Sequence, residues 1–270
     1  MMSLLDSLQS LTIYDLAQSL EPTTPTSPNH PPFRMALIWR HGDRIREDGS
    51  SGANELLSLG GHTGTHIDAL CHISQGGQLY GGVDAEEASR GGIFKAYGVE
   101  TIAPIVCRGV LLDIPGTFGV DILAPAQPIT ADDIQAACDA EHVQINKGDA
   151  VLIRTGWPVR HFRDAKAFVG WETGVPGPDE SAARLLVERQ IRITGADTIA
   201  YERLAPGKGT SHIPVHVILL KEAGIHIIEV MNLEVLAKER VYEFTFVVAP
   251  LKIVGATGSP VRPLALAERP

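Results

Sequence analysis

Residues 59–77 read LGGHTGTHIDALCHISQGG, which places His62, His66, Asp68 and His72 within eleven residues punctuated by glycine. Few backbones can use such a segment as a unit. On a straight helix, at about 100° per residue, His62 and His66 stand about 40° apart, but Asp68 and His72 fall at about 240° and 280°, on another side. The metalloprotease helix H-E-x-x-H is excluded as well, because Thr63 follows the first histidine and Gly64 interrupts the turn. In a strand the four even-numbered positions share one face, yet His62 and His66 would lie about 13 Å apart by rise alone. One metal ion with nitrogen ligands at about 2.1 Å does not bridge that distance. The remaining geometry is an extended chain bent sharply near Gly64, where glycine tolerates unusual φ and ψ. The sequence therefore predicts a curled, largely irregular segment on which the side chains converge. Two neutral imidazoles and a carboxylate supply three ligands for a divalent ion such as zinc or manganese and leave positions open to water and substrate. A lone histidine in a glycine-rich loop is ordinarily a surface residue; three histidines and an aspartate of matched parity call for a site.

The rest of the chain is long enough to bury a sizeable core around that segment, with 270 residues of which 44% are hydrophobic. The net charge is −9 and basic residues are scattered, which argues against nucleic acid or an anionic membrane as partner and favours a small-molecule substrate. No apolar run approaches the roughly 20 residues that span a bilayer. The N-terminus carries Asp6 and lacks a positively charged region, unlike a signal peptide, so the expected location is cytoplasmic. Cys71, Cys107 and Cys138 are odd in number and widely spaced, giving neither a disulfide framework nor a CxxC zinc site.

Strand and helix patterns mix throughout. Residues 21–33, EPTTPTSPNHPPF, carry five prolines and read as an extended arm, so that residues 1–35 form an N-terminal arm and 36–270 a single domain. The runs at 107–114 and 149–156 are apolar and predict buried strands. Between them, Thr130 with Asp133 three residues on resembles a weak capping box ahead of a helix. A second helix is predicted over 179–189, where Ala182, Leu185, Leu186 and Arg189 repeat at helical spacing. Residues 191–200 read as a strand, 213–224 as a helix closed by Gly224, and 225–230 as a short strand. In YEFTFVVAPLKI, Tyr242, Phe244, Phe246 and Val248 alternate as on a half-exposed strand. The fold class is α/β, with mixed sheets and flanking helices.

The segment HTGTHIDALCH resembles the H-x-G-T-H-x-D-x-P-x-H signature of the cyclase family of metal-dependent hydrolases, which includes bacterial kynurenine formamidases and isatin hydrolases. It departs from the signature at Leu70, where the family has proline, and that departure points to a branch whose substrate differs. RGVLLDI, GDAVLIRTGW, HVILLKEAGIHIIEVMNL and GSPVRPLAL resemble family blocks in family order. In kynurenine formamidases a histidine on a later helix and a glutamate at the end of the next strand complete a two-metal site. The matching residues are His216 and Glu229, with His212 competing for the first role because the spacing to Glu229 is about one residue longer than in the formamidases. Glu229 also stands in an apolar strand run, where an unpaired carboxylate would be costly unless it met a cation. Isatin hydrolases carry an amide in place of that glutamate and hold one ion, so Glu229 tilts the expectation from one ion to two.

The resemblance gives His72 the role of general acid and base, with ligation of a second ion as the alternative. A Cys71–His72 nucleophile is set aside because neighbours in extended chain face opposite ways, and Ser211 beside His212 fails similarly. Trp39 and Tyr80 are candidate substrate walls, with core packing as their ordinary alternative, and Arg40 and His41 suit a solvated turn. The implied activity is metal-dependent hydrolysis of a carbon–nitrogen bond in a small amide, formamide or cyclic amide, using zinc or manganese. A lactone or ester hydrolase, a polyketide-type cyclase and a metal-binding scaffold without turnover are the competing readings. A homodimer or homotetramer is expected, with the arm reaching a partner subunit.

Overall fold

Both apolar runs become central strands of one sheet. In the computed structural model, which describes residues 10–268, they form β5 (Ile105–Asp113) and β7 (Ala150–Arg154). The remaining strands, in chain order, are β1 (Thr12–Asp15), β2 (Arg34–Trp39), β3 (Asn54–Ser58), β4 (His66–Asp68), β6 (Pro128–Ile129), β8 (Gly177–Pro178), β9 (Ile193–Ala196), β10 (His226–Glu229), β11 (Glu243–Val248), β12 (Gly258–Pro260) and β13 (Leu264–Ala267). Nine of them make a mixed sheet in the order β1-β13-β11-β5-β7-β9-β10-β4-β12. The run β5-β7-β9-β10 is parallel, and the direction reverses where β4 pairs antiparallel with β10 and then β12 with β4. β2 and β3 form a separate hairpin, and β6 and β8 a short parallel pair.

The parallel strands are apolar on both faces because both faces are covered. Val110, Leu112, Val151, Ile153 and Ile227 pack against Ile134, Leu186 and Leu219 of the helices Ala131–Glu141 and Glu180–Glu188 and the helical stretch 214–223. On the opposite face Leu111, Leu152 and Ile228 meet Tyr14, Leu16, Leu79 and Phe246. The alternation read in 242–248 holds, with Phe244, Phe246 and Val248 buried while Glu243 and Thr245 are exposed.

Local signals set the helix ends. Thr130 accepts from the Asp133 backbone and Asp133 reaches back to Thr130, so both halves of the capping box are made. Asp179 caps the 180–188 helix through the Ser181 and Ala182 amides. The predicted 213–224 helix starts as Pro214–His216, continues in π geometry over Val217–Ala223 and closes at Gly224 with φ of +69°. The predicted strand at 191–200 ends at Ala196, because the next residue, Asp197, turns its carboxylate to the Thr155 and Gly156 amides and takes the chain out of the sheet.

Of the N-terminal 1–35 segment, the first nine residues lie outside the described residues; residues 12–15 form the edge strand β1 against β13, and residues 21–33 hold no helix or strand. Among the described residues no helix is long and apolar enough to cross a membrane.

Candidate metal centre

The site lies where the sheet reverses direction. His66 and Asp68 share one face of β4, and Ile67 between them points into the core. Gly64 sits at φ +65° and a side chain there would run into Leu20, so the bend needs glycine both for its conformation and for space. The bend returns His62 to Asp68, with Nδ1 2.8 Å from Oδ1. His72 then folds beside it, the two rings 4.0 Å apart between centroids.

β10 brings Glu229 directly opposite His66 in the antiparallel register. The residue after it, Val230, has φ of +57°, an unfavourable conformation for a β-branched side chain. It is held by its amide on Thr198 O and by Thr65 Oγ1 donating to its carbonyl at 2.6 Å. His216, in the first turn of its helix, places Nε2 3.1 Å from Glu229 Oε1 and 3.7 Å from Asp68 Oδ2. His66 Nε2 is 3.5 Å from Asp68 Oδ1 and 3.4 Å from Glu229 Oε2. The structure thus brings His62, His66, Asp68, His72, His216 and Glu229 together. His212 is exposed and falls in neither ligand set, whereas His216 is buried and faces Asp68 and Glu229.

The ring orientations leave lone pairs pointing inward. His66 Nδ1 donates to Gly64 O at 2.8 Å, which makes Nε2 the free nitrogen of the neutral ring. His216 Nδ1 lies 2.6 Å from the buried Glu202 carboxylate and so donates there, again leaving Nε2 to face Asp68 and Glu229. With both rings neutral, as metal ligation requires, acceptors confront acceptors, and His66 Nε2 and Asp68 Oδ2 are buried with no hydrogen-bond partner. Such a pocket is unfavourable unless a cation lies between the facing groups. Two overlapping sets are close enough to hold an ion, His62–Asp68–His72 and Asp68–His216–Glu229, with Asp68 common to both. Imidazole and carboxylate donors of this kind suit zinc or manganese.

The electrostatics follow the same pattern. Burial alone would raise the Asp68 carboxyl, but the surrounding imidazoles, with His62 at hydrogen-bond distance, take it well below the usual carboxylate range. Burial would likewise raise Glu229, and His216 and His66 lower it. Burial disfavours charge on His66 and His216, yet the carboxylates of Glu229, Asp68 and Glu202 raise both. His72 differs: burial pushes its imidazole down to about 3, which keeps the ring neutral. Cys71 is raised by burial to about 12 and lies near Ala256 O, which keeps it a thiol and no nucleophile.

Three contributors carry no signal in the sequence pattern. Glu202 holds His216 as above. Thr257 Oγ1 lies 2.9 Å from His62 Nε2. His30, from the proline-rich segment, stacks on His62 at 4.9 Å between ring centroids, on a stretch held by Gly60 N and Thr63 Oγ1 donating to Pro31 O. Burial and the neighbouring His62 and His66 lower the His30 pKa. The suggested walls, Tyr80 and Trp39, make other contacts within the protomer. Tyr80 packs against Tyr97 and Gly224, and Trp39 is on the β2–β3 hairpin with the Arg44 guanidinium 3.6 Å over its ring. Neither joins the six residues through a hydrogen bond or ring contact.

Comparison with known proteins agrees with this geometry. The family model described as "Putative cyclase" matches residues 14–203. An isatin hydrolase of Roseibium aggregatum is 30% identical over 263 residues, covering 95% of this chain and 92% of its own length. A kynurenine formamidase of Geobacillus thermodenitrificans is 25% identical over 249 residues, covering 92% of this chain and 94% of that protein. The crystal structure of a novel cyclase superposes with a TM-score of 0.85 at 29% identity, over 96% of this chain and 89% of the other.

Proposed function

Because the chain belongs to the cyclase family, we propose that it hydrolyses the carbon–nitrogen bond of a small amide, formamide or cyclic amide, with a divalent metal held by His62, His66, Asp68, His216 and Glu229. The observation that supports this most directly is the set of buried acceptors turned on one another, two of them without a partner. Two ligand sets sharing Asp68 favour two ions, zinc or manganese, over one. When bound, such an ion supplies a Lewis acid for the carbonyl and acidifies water.

The chain's own residues do the rest. Asp68 and Glu229 provide the negative charge that retains the cation, and the Gly64 carbonyl and Glu202 fix the ring orientations of His66 and His216. His72 sits beside His62, and this position assigns it the proton transfer from the attacking water to the departing nitrogen as the carbon–nitrogen bond breaks. His30 stacks on His62 and offers a flat surface for an aromatic or planar amide substrate.

A panel of isatin, N-formyl aromatic amines, cyclic imides and lactones, assayed before and after chelation and after zinc or manganese add-back, tests the reading. The expected result is turnover of at least one amide that vanishes on chelation and returns with metal. Turnover of lactones alone would replace it with the ester-hydrolase reading, and no turnover with no metal uptake would overturn it.

The assembly we propose is a homodimer, or a tetramer built from such dimers, formed through the β2–β3 hairpin. Met35, Leu37, Ile38, Leu56 and Leu57 are each more than half exposed there, and a two-stranded hairpin with uncovered apolar residues is marginal on its own. Light scattering after gel filtration is expected to give a dimer or tetramer, with Leu37→Asp combined with Leu56→Asp shifting it to monomer. A wild-type monomer at micromolar concentration would contradict the assignment.

A further inference from the structure

We propose that Glu202 is a positioning residue of the metal centre: it fixes the ring of His216 with Nδ1 protonated and Nε2 presented inward, and so sets the affinity of the centre for its metal. The inference rests on the reading of His216 as a ligand and adds a residue that the ligand pattern does not contain.

Glu202 is 2% exposed, and its carboxylate has three polar contacts, all with one turn of helix. Oε2 accepts from Val215 N at 3.2 Å, and Oε1 accepts both from His216 N at 2.9 Å and from His216 Nδ1 at 2.6 Å. Ile213, at the start of that helix, offers no side-chain cap, so a carboxylate from a distant segment satisfies first-turn amides that would otherwise be orphaned. One oxygen thus ties the backbone and the ring of the same histidine, which removes rotation about both side-chain torsions. The imidazole lies between Glu202 and the Asp68–Glu229 pair: Glu202 is on the Nδ1 side, and Nε2 faces the pair. Glu202 is therefore placed to orient a ligand and not to be one. A carboxylate behind a ligating imidazole fixes its tautomer and raises its basicity toward the metal.

The backbone at this point is built to hold the carboxylate. Tyr201, the residue before it, is fully buried with φ of +54°, and its hydroxyl is 2.8 Å from Thr194 Oγ1 on β9. A buried aromatic residue in the left-handed region persists only where its surroundings over-determine it. Gly177 passes so close that any side chain on it would overlap the Tyr201 carbonyl and the Glu202 backbone. Strain on Tyr201 and close passage of Gly177 both serve to aim Glu202 at the start of the 214 helix.

Two functions of Glu202 are separable by experiment. As a helix cap it affects only folding; as a positioning residue it affects the metal. Glu202→Gln keeps one oxygen acceptor, enough for His216, while losing the acceptor toward Val215 N and the charge, whereas Glu202→Ala removes all of them. Zinc affinity is read by competition with a chromophoric chelator, the His216 Nδ1–H by ¹⁵N-edited NMR on metal-free and zinc-loaded protein, and folding by thermal melts. The expected result is a fall in zinc affinity of about 10- to 100-fold in both variants. The slowly exchanging His216 Nδ1–H of the wild type is expected to be lost in Glu202→Ala, while Glu202→Gln still melts cooperatively. Wild-type zinc affinity in both variants with an unchanged His216 resonance would overturn the proposal, whatever their melting temperatures. If the wild-type chain takes up no zinc, the metal reading itself fails, and the His216 Nδ1–H in the metal-free protein still decides whether Glu202 orients the ring.

Discussion

Asp68→Asn is expected to empty the centre of metal and to lower kcat/KM by at least about a thousandfold. Asp68 belongs to both ligand sets, with Oδ1 toward His62 and His66 and Oδ2 toward His216, so one substitution reaches every ion the site holds. Asparagine preserves the shape but replaces one oxygen by an NH₂ that cannot ligate, and it removes a negative charge. The fold is expected to survive, because β4 is held on both sides through backbone pairing with β10 and β12. Elemental analysis, steady-state kinetics and a thermal melt check this together. A full metal complement in the Asp68→Asn variant, with activity within tenfold of wild type, would contradict the assignment of Asp68 as the common ligand.

The second large effect is expected at His72. His72→Ala should lower kcat by about 10²- to 10⁴-fold while metal content stays that of wild type. The ring stands 4.0 Å from that of His62 between centroids, which places a proton carrier beside the proposed ligands. It also falls within the His62–Asp68 set, so the same variant distinguishes its two roles. Loss of one equivalent of metal on substitution would make His72 a ligand in place of the acid and base.

Much of the centre was legible in the residues from 62 to 72 because local geometry constrains them. Matched parity, a glycine at the one place the chain must bend, and a second ligand type on the same face left few conformations, and the structure adopts one of them. Glu229 and His216 were picked out by the family resemblance, and the apolar strand run around Glu229 added only that its carboxylate needs a counterion. Glu202 was not, because in TIAYERL it has the look of a surface charge, and only the Tyr201 turn and the 214 helix bring it to His216. His30 was hidden likewise within a proline-rich segment whose path over His62 depends on contacts with residues 60–63.

The elements follow the same division. Runs buried on both faces and the Thr130–Asp133 box could be read directly, since each depends on neighbours within a few residues. The early end of β9 could not, because it depends on Asp197 meeting the Thr155 and Gly156 amides just after β7, some forty residues away. Nor could the π turns after His216, which share their hydrophobic spacing with an ordinary helix. Leu70, the one departure from the family signature, packs in the helix-side core among residues such as Ile227 and Leu219.

The central claim is that the acceptors gathered around Asp68 hold a divalent metal on which amide hydrolysis depends. The most direct measurement is metal stoichiometry by elemental analysis on purified wild-type protein, taken in parallel with isatin and N-formyl amide turnover through a cycle of chelation and add-back. The predicted result is up to two equivalents of zinc or manganese per chain, with activity lost and regained in proportion to the bound metal. Turnover that persists in fully metal-free protein, or a chain that binds no divalent ion with its fold intact, would contradict it.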